Sequence, residues 1–182
     1  MSTENKKYLG QRIYLRPLEY SDVNENYLSW FNDQNVTKFL ESKNLTKQEV
    51  IDYIKQGIES KTYYMYAICL IENNKHIGNI KIGPINRKHM TSDLVTVIGD
   101  SNYWGKGIAT ESIKIGNKIA FEQYKIRKLS GGMYSDNVAS LNSYLKAGWI
   151  EEGRLKGHYL INGKVNDRVC VSCFNPDFFG NE

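Results

Sequence analysis

The residues best suited to chemistry lie in one stretch, Tyr103-Trp104-Gly105-Lys106-Gly107-Ile108-Ala109-Thr110-Glu111, between an alternating apolar segment and a helical one. The amides from Gly105 to Ala109 stand at a helix start, where the first turn has no carbonyls to bond and aligned peptide dipoles leave partial positive charge. Such a place binds phosphate. A side chain at Gly105 or Gly107 would obstruct close approach of a pyrophosphate, so glycine suits both positions. The spacing is not the dinucleotide-binding G-x-G-x-x-G, because Thr110 occupies the third glycine position, and it is not the P-loop pattern either. On these residues alone, a tight strand-to-helix turn explains the glycines as well as a nucleotide-bearing ligand of another class does.

Other reactive side chains offer less. Cys69, Cys170 and Cys173 are odd in number, which does not suit a disulfide framework, so reduced thiols are expected. Cys170 and Cys173 spell C-x-x-C, but in a strand residues three apart point to opposite faces. His76, His89 and His158 lack ligand spacing and read as surface residues, and no metal site is expected. A net charge of +4, from 24 basic and 20 acidic residues in short clusters, lacks the stripe of a nucleic-acid binder. It does suit a polyanionic small ligand. No apolar run approaches the roughly 20 residues of a membrane helix, and the start MSTENKKYLG lacks the apolar core of a secretory signal. A cytoplasmic protein is expected.

The elements that must position the glycine loop follow from periodicity. Gln11 to Leu18 alternates as a strand, and Ser21-Asp22 offers an N-cap for a helix ending at Asn32-Asp33. Thr46 and Glu49 form a capping box ahead of Val50, Ile51, Ile54 and Ile58 at helical spacing. Tyr63 to Ile71 and His76 to Ile85 read as a hairpin, and Leu94 to Ile98 as a further strand. A helix from Ile108 to Tyr124, a strand from Arg127 to Tyr134 and a helix from Asn137 to Lys146, stopped by Gly148, follow. Trp149 onward and Val165 to Phe174 flank the hairpin pair Asn162-Gly163. The order β-α-α-β-β-β-α-β-α-β-β, without repeat or linker, predicts a single α/β domain over residues 1–182, a mixed sheet flanked by helices.

The stretch Trp104 to Glu111 resembles the acyl-CoA pyrophosphate loop of the GNAT superfamily, [QR]-x-x-G-x-[GA], with Gly107 and Ala109 at the small positions and Trp104 where Gln or Arg is usual. The W-G-x-G-x-A-T-E form is similar to the RimJ/RimL-like branch, whose members acetylate protein N-termini, polyamines and amino sugars. Asn137 to Trp149 resembles the family's N-x-x-[AS]-x-x-x-Y-x-K-x-G-[FW] helix. At ~100° per residue, Asn137, Leu141 and Tyr144 share a narrow arc with Ser140 at its edge. Arg12 to Leu18 and the terminal hairpin extend the resemblance over nearly the whole chain.

The resemblance implies a GNAT fold: a mostly antiparallel sheet with a splayed central parallel pair. It implies acetyl-CoA as co-substrate and direct transfer to a primary amine in a ternary complex, with Tyr144 as general acid. Val97, Ile98, Trp104, Gly105, Lys106, Gly107, Ile108, Ala109, Thr110, Asn137 and Ser140 are then the expected cofactor contacts, and the side chains of Val95 to Ile98 the ordinary core. Asp93, Asp100 and Glu111 are carboxylates near enough for the general base, with Glu111 more simply read as a helix-dipole partner. Tyr27 to Asp33 resembles a segment of surface-sugar acetyltransferases, so an amino sugar on a nucleotide is the expected acceptor. A protein N-terminus, a polyamine, or a non-catalytic acyl-CoA sensor are the alternatives, and a homodimer is compatible with the chain.

Overall fold

The computed structural model describes residues 6–180 apart from Ser42 and Asn162. Residues 1–5, read against a secretory signal, and Asn162 of the hairpin pair lie outside the described residues. Strands β1 (Tyr8–Leu9), β2 (Ile13–Pro17), β3 (Tyr64–Leu70), β4 (His76–Asn86), β5 (Thr91–Ile98), β6 (Lys128–Tyr134), β7 (Ile150–Ile161) and β8 (Lys164–Phe174) form one sheet in the order β1-β2-β3-β4-β5-β6-β8-β7. The pair β5–β6 is parallel and all other neighbours are antiparallel. This is the mixed α/β sheet that the alternating periodicities predict.

Strand alternation divides the core between two faces. On one face, Ile13, Ile68, Ile80 and Leu94 meet Ile113 and Ile119 of α4 (Ile108–Glu122) and Tyr144 of α5 (Val138–Lys146). On the other, Tyr14, Ala67 and Cys69 meet Tyr27 and Trp30 of α1 (Glu25–Asn32), Val36 of α2 (Gln34–Thr37), and Val50 and Ile54 of α3 (Lys47–Ser60). A last turn, α6 (Pro176–Phe179), ends the described chain.

The Thr46–Glu49 capping box forms as expected, with Thr46 Oγ1 accepting from the Glu49 amide and the Glu49 carboxylate accepting from the Thr46 amide. Ile58, however, is exposed, and Gly57 takes the buried place on that turn against Tyr63. The first helix is also corrected. Tyr20–Asp22 is a 3-10 turn, and α1 begins later, capped by Asn24. The Asp22 carboxylate is taken instead by Arg16, whose Nη1 and Nη2 donate at 2.7 and 2.6 Å. Asp22 Oδ2 also accepts from the Glu19 amide at 2.8 Å, so one carboxylate closes the short turn and holds the guanidinium in a bidentate pair. His76 is not a surface residue: its ring sits between Asp22, Asn79 and Trp30, and burial depresses its pKa against the pull of Asn79 and Asp22.

Gly99 follows β5 and lies flat beneath the Trp30 indole. A Cβ there would come within 2.1 to 2.5 Å of three ring atoms. Because Trp30 is wedged against Tyr27 and His76, it cannot step aside cheaply. Gly99→Ala is expected to cost about 1–3 kcal/mol through overpacking, read as a lower urea midpoint with an unchanged m-value.

Candidate active site

The centre of the sheet opens where a ladder stops. β5 and β6 pair at Thr91–Lys128, Ser92–Leu129 and Asp93–Ser130, and no further, although both strands continue. Beyond that fork the main chain of β5 loses its β6 partners. The Tyr144 hydroxyl takes one of the freed groups, donating to the Leu94 carbonyl at 2.8 Å. Tyr144 is buried, and its ring meets Trp149 edge to face at 4.8 Å. Burial pushes the phenol up to about 12, against a smaller lowering by the neighbouring Thr96 groups. Thr96 Oγ1 lies close but makes no bond of normal geometry among the described residues.

From the end of β5 the chain passes through a 3-10 turn, Ser101–Tyr103, into the glycine loop and α4. Gly107 is the N-cap at φ 75° and offers no side-chain cap, so the amides of Ile108, Ala109 and Thr110 are left without an intrahelical acceptor. Gly105, at φ 71°, would have nothing within 4 Å of an added Cβ. Glu111 in the first turn does more than face the dipole. Its Oε1 accepts from the Gln11 and Arg12 amides at 2.7 and 2.8 Å, and its Oε2 from Arg12 Nε at 2.9 Å. Arg12 Nη1 in turn donates to the Lys106 carbonyl at 2.6 Å. Burial opposes ionisation of Glu111, but the Arg12 amide and guanidinium, with the Gln11 and Ile13 amides, outweigh it and hold the carboxyl below its usual range.

These parts enclose a cleft of about 690 Å³ between β5, the glycine loop and α5. Tyr144, Val97, Ile98, Trp104, Gly105, Gly107, Ile108, Ala109, Thr110, Asn137 and Ser140 all line it. Lys106 does not: it turns outward over the Tyr103 ring. Asn137 caps α5 by accepting from the Ser140 amide, while Leu141 on the same arc packs into the core. Trp104 bonds the Ile98 carbonyl through its indole at 2.8 Å, tying the loop to β5. Val95 departs from the expected core role, being 43% exposed on the opposite face. There it lines a second pocket of about 430 Å³ with Tyr53, Lys81 and Glu49. Leu40 and Val97 border both spaces, and nothing local in the sequence pointed to Leu40 or to its neighbours Val36 and Phe39 at the cleft mouth.

Of the three carboxylates, Glu111 is committed to the loop and Asp100 is bonded to Lys75 and the Asn102 amide. Asp93, at the fork, has no hydrogen bond or ion pair to its carboxylate among the described residues. Burial raises its pKa, with Arg168 and Lys81 pulling the other way. The thiols of the C-x-x-C lie on opposite faces of β8, and Cys173 in the core is pushed up to about 11 by burial.

A strand-loop-helix amide cluster beside a forked parallel pair is the arrangement the family resemblance implied, and residues 12–150 match the acetyltransferase (GNAT) domain. The chain belongs to the GNAT acetyltransferase family. A probable N-acetyltransferase of Bacillus subtilis is 25% identical over 177 residues, covering 92% of this chain and 97% of that protein. The spermidine N(1)-acetyltransferase of Escherichia coli K12 is 23% identical, covering 91% and 88%. Among solved structures, spermidine N-acetyltransferase from Vibrio cholerae with CoA and spermine superposes with a TM-score of 0.83 at 19% identity, covering 94% of this chain and all of that one. This GNAT member is an N-acetyltransferase with acetyl-CoA as co-substrate. The open space at Gly105 and the bare amides of the first turn of α4 fit its pyrophosphate.

An added side chain at Gly107 would meet Arg12 Nη2 at 3.5 Å and nothing closer, so Gly107→Asp is expected to fold with a modest backbone penalty. Its carboxylate would sit at the helix start. Calorimetry is expected to show CoA affinity reduced tenfold or more, on the order of one lost charge-assisted contact plus repulsion.

Proposed function

We propose that the chain passes the acetyl group of acetyl-CoA directly to the primary amine of a small molecule seated on the face of β5 opposite α5. The observation that carries this reading is the meeting of two spaces at Val97 and Leu40. Thr96 and Ile98 face one and Val95 the other, as strand alternation requires. Two substrates can therefore approach the fork from opposite sides, which supplies the proximity that a bimolecular transfer needs.

When bound, acetyl-CoA supplies a thioester carbonyl that a neutral amine attacks, with the carbon–sulfur bond breaking as the carbon–nitrogen bond forms. In this reading the Gly105 to Thr110 amides hold the pyrophosphate, and Val97, Ile98, Asn137 and Ser140 border the rest of the cofactor. Tyr144, protonated throughout the neutral range, releases its bond to Leu94 and donates to the departing sulfur. Asp93, the uncommitted carboxylate at the fork, receives the proton lost by the nitrogen, directly or through water.

An amino sugar on a nucleotide is the acceptor we place first. Lys38, Lys43 and Lys164 line an 890 Å³ groove with Phe31 and Phe39, facing two carboxylates, Asp136 and Asp167. Lys81 and Arg168 flank Asp93. In that groove the balance favours a phosphate-bearing group, whereas the second pocket, with Glu41 and Glu49 against Lys81, suits the amine end of the acceptor. Trp30 is buried over Gly99 and is not free to stack on such a ligand. A polyamine is the second reading, supported by the spermidine acetyltransferases among the relatives and by Glu49 in the second pocket.

Tyr144→Phe keeps the ring and deletes the donor. The expected result is a kcat lower by roughly 10²-fold with unchanged CoA affinity. Loss of the bond to Leu94 alone would reduce stability by about 1–3 kcal/mol and leave kcat near wild type, so paired unfolding and turnover measurements separate the roles. For the acceptor, kcat/KM is compared at equal concentration for 4-amino-sugar nucleotides, spermidine and short peptides. The sugar nucleotides are expected to lead, and a large advantage for spermidine would establish the second reading.

A further inference from the structure

Arg168 on β8 is a guanidinium that makes no hydrogen bond or ion pair among the described residues. Its register mates are Tyr134 on β6 and Leu155 on β7, and it shares a sheet face with Asp93, Tyr134 and Gly132. The side chain is partly buried, and its Nε is shut off from solvent with no hydrogen bond among the described residues. Neither its Nε nor its terminal nitrogens enter an ion pair with any described carboxylate, although Asp93 and Glu41 stand in the neighbourhood. Leaving the buried Nε–H unmet is costly, because it loses hydration without recovering a bond from the protein.

The chain is nevertheless shaped to keep the group there. At Gly132 an added Cβ would fall 2.2, 2.4 and 2.6 Å from Nε, Nη2 and Cζ of Arg168, so the guanidinium lies flat on the bare backbone of β6. Beside it stands a ladder of rings: Tyr134 is 4.1 Å from Tyr159 and 5.9 Å from Phe39, centroid to centroid. The fork at Asp93 is on the same face. A planar donor beside an aromatic wall, near the point where the acceptor amine must arrive, is a recognition element for an anionic group.

We propose that Arg168 binds an anion carried by the acceptor itself, a phosphate or a carboxylate, and thereby selects amines that bear one. The proposal rests on the acetyl-transfer reading and makes Arg168 a specificity residue. Gly132 is the position that lets its guanidinium lie close to the sheet.

Matched acceptors that differ by the anion alone test it. Lysine against cadaverine isolates a carboxylate, and glucosamine 6-phosphate against glucosamine isolates a phosphate. A 4-amino sugar with and without its nucleoside diphosphate gives the extended case. Wild-type protein is expected to favour the anionic member of at least one pair, and that pair names the anion. Arg168→Gln should raise KM for that member by ~10-fold or more, with the KM for acetyl-CoA little changed and no rise in KM for the uncharged or cationic member; any change in kcat through the neighbouring Asp93 should fall on both members of the pair alike. Arg168→Met gives a readout independent of turnover. With no partner lost, its melting temperature should equal or exceed that of wild type, whereas a structural arginine would lower it. Preference for cadaverine, glucosamine and the free sugar, or an anion preference that survives in Arg168→Gln, overturns the proposal while acetyl transfer stands. Failure of every amine to release CoA overturns the transfer reading and this one with it.

Discussion

The three-pair ladder between β5 and β6 is the constraint on which the rest of the site depends. A parallel pair that stops early leaves main-chain groups in the middle of a sheet without their usual partners, and each must be met or pay about 1–3 kcal/mol. One of these, the Leu94 carbonyl, is met by the Tyr144 hydroxyl. The same break lets β5 present successive side chains to two separate spaces, Thr96 toward the cleft beside the glycine loop and Val95 toward the second pocket. Asp93 is left at the apex, buried enough to raise its pKa. Aperture, phenol and carboxylate are thus one consequence of a ladder that ends after Ser130.

Two supports hold that geometry from outside. Trp149 packs edge to face on Tyr144 and donates to Asn117 of α4 at 3.1 Å, which ties the start of β7 to the helix that follows the glycine loop. On the other flank, Glu111 gathers the amides ahead of β2 and the Arg12 guanidinium, and Arg12 holds the Lys106 carbonyl. The loop is therefore clamped by residues almost a hundred positions earlier in the chain. Its open amides are fixed in direction before any ligand arrives, so little ordering remains to oppose binding.

What could be read from sequence was what neighbouring residues decide among themselves. The capping box at Thr46, the Asn137 cap and the glycines at 105 and 107 are local, and the structure places them as their spacing predicts. Strand alternation similarly gave the faces of Cys170 and Cys173. Long-range competition was hidden. Asp22 reads as the cap of the first helix, whereas in the fold its carboxylate pairs with Arg16 and closes a separate short turn on the Glu19 amide. His76 reads as a surface residue until α1 covers it, and Val95 as core until the sheet forks and bares one side. Lys106 belongs to the motif yet faces away, since a loop repeat fixes the backbone and leaves an intervening side chain to solvent. Arg168 follows Asn166 and Asp167 in the last strand, where nothing local marks it out, and its unmet Nε appears only once Gly132 lies beneath it.

β7 closes one margin of the sheet, with residues Ile150 to His158 all exposed and β8 as its sole neighbour among the described strands. A twelve-residue edge whose alternate amides and carbonyls point away from β8, carrying Ile150, Leu155 and Leu160 in the open, is a template on which another polypeptide could add as an extra strand. The margin resists this in two ways. Glu151, Glu152, Arg154 and Lys156 oppose flat stacking of like copies, and the register slips twice against β8, between Glu151 and Gly153 and between Leu155 and Tyr159, which spoils the straight repeat that fibrillar growth requires. The same hairpin that carries Arg168 thus also carries the irregularities that work against strand addition at a long bare edge.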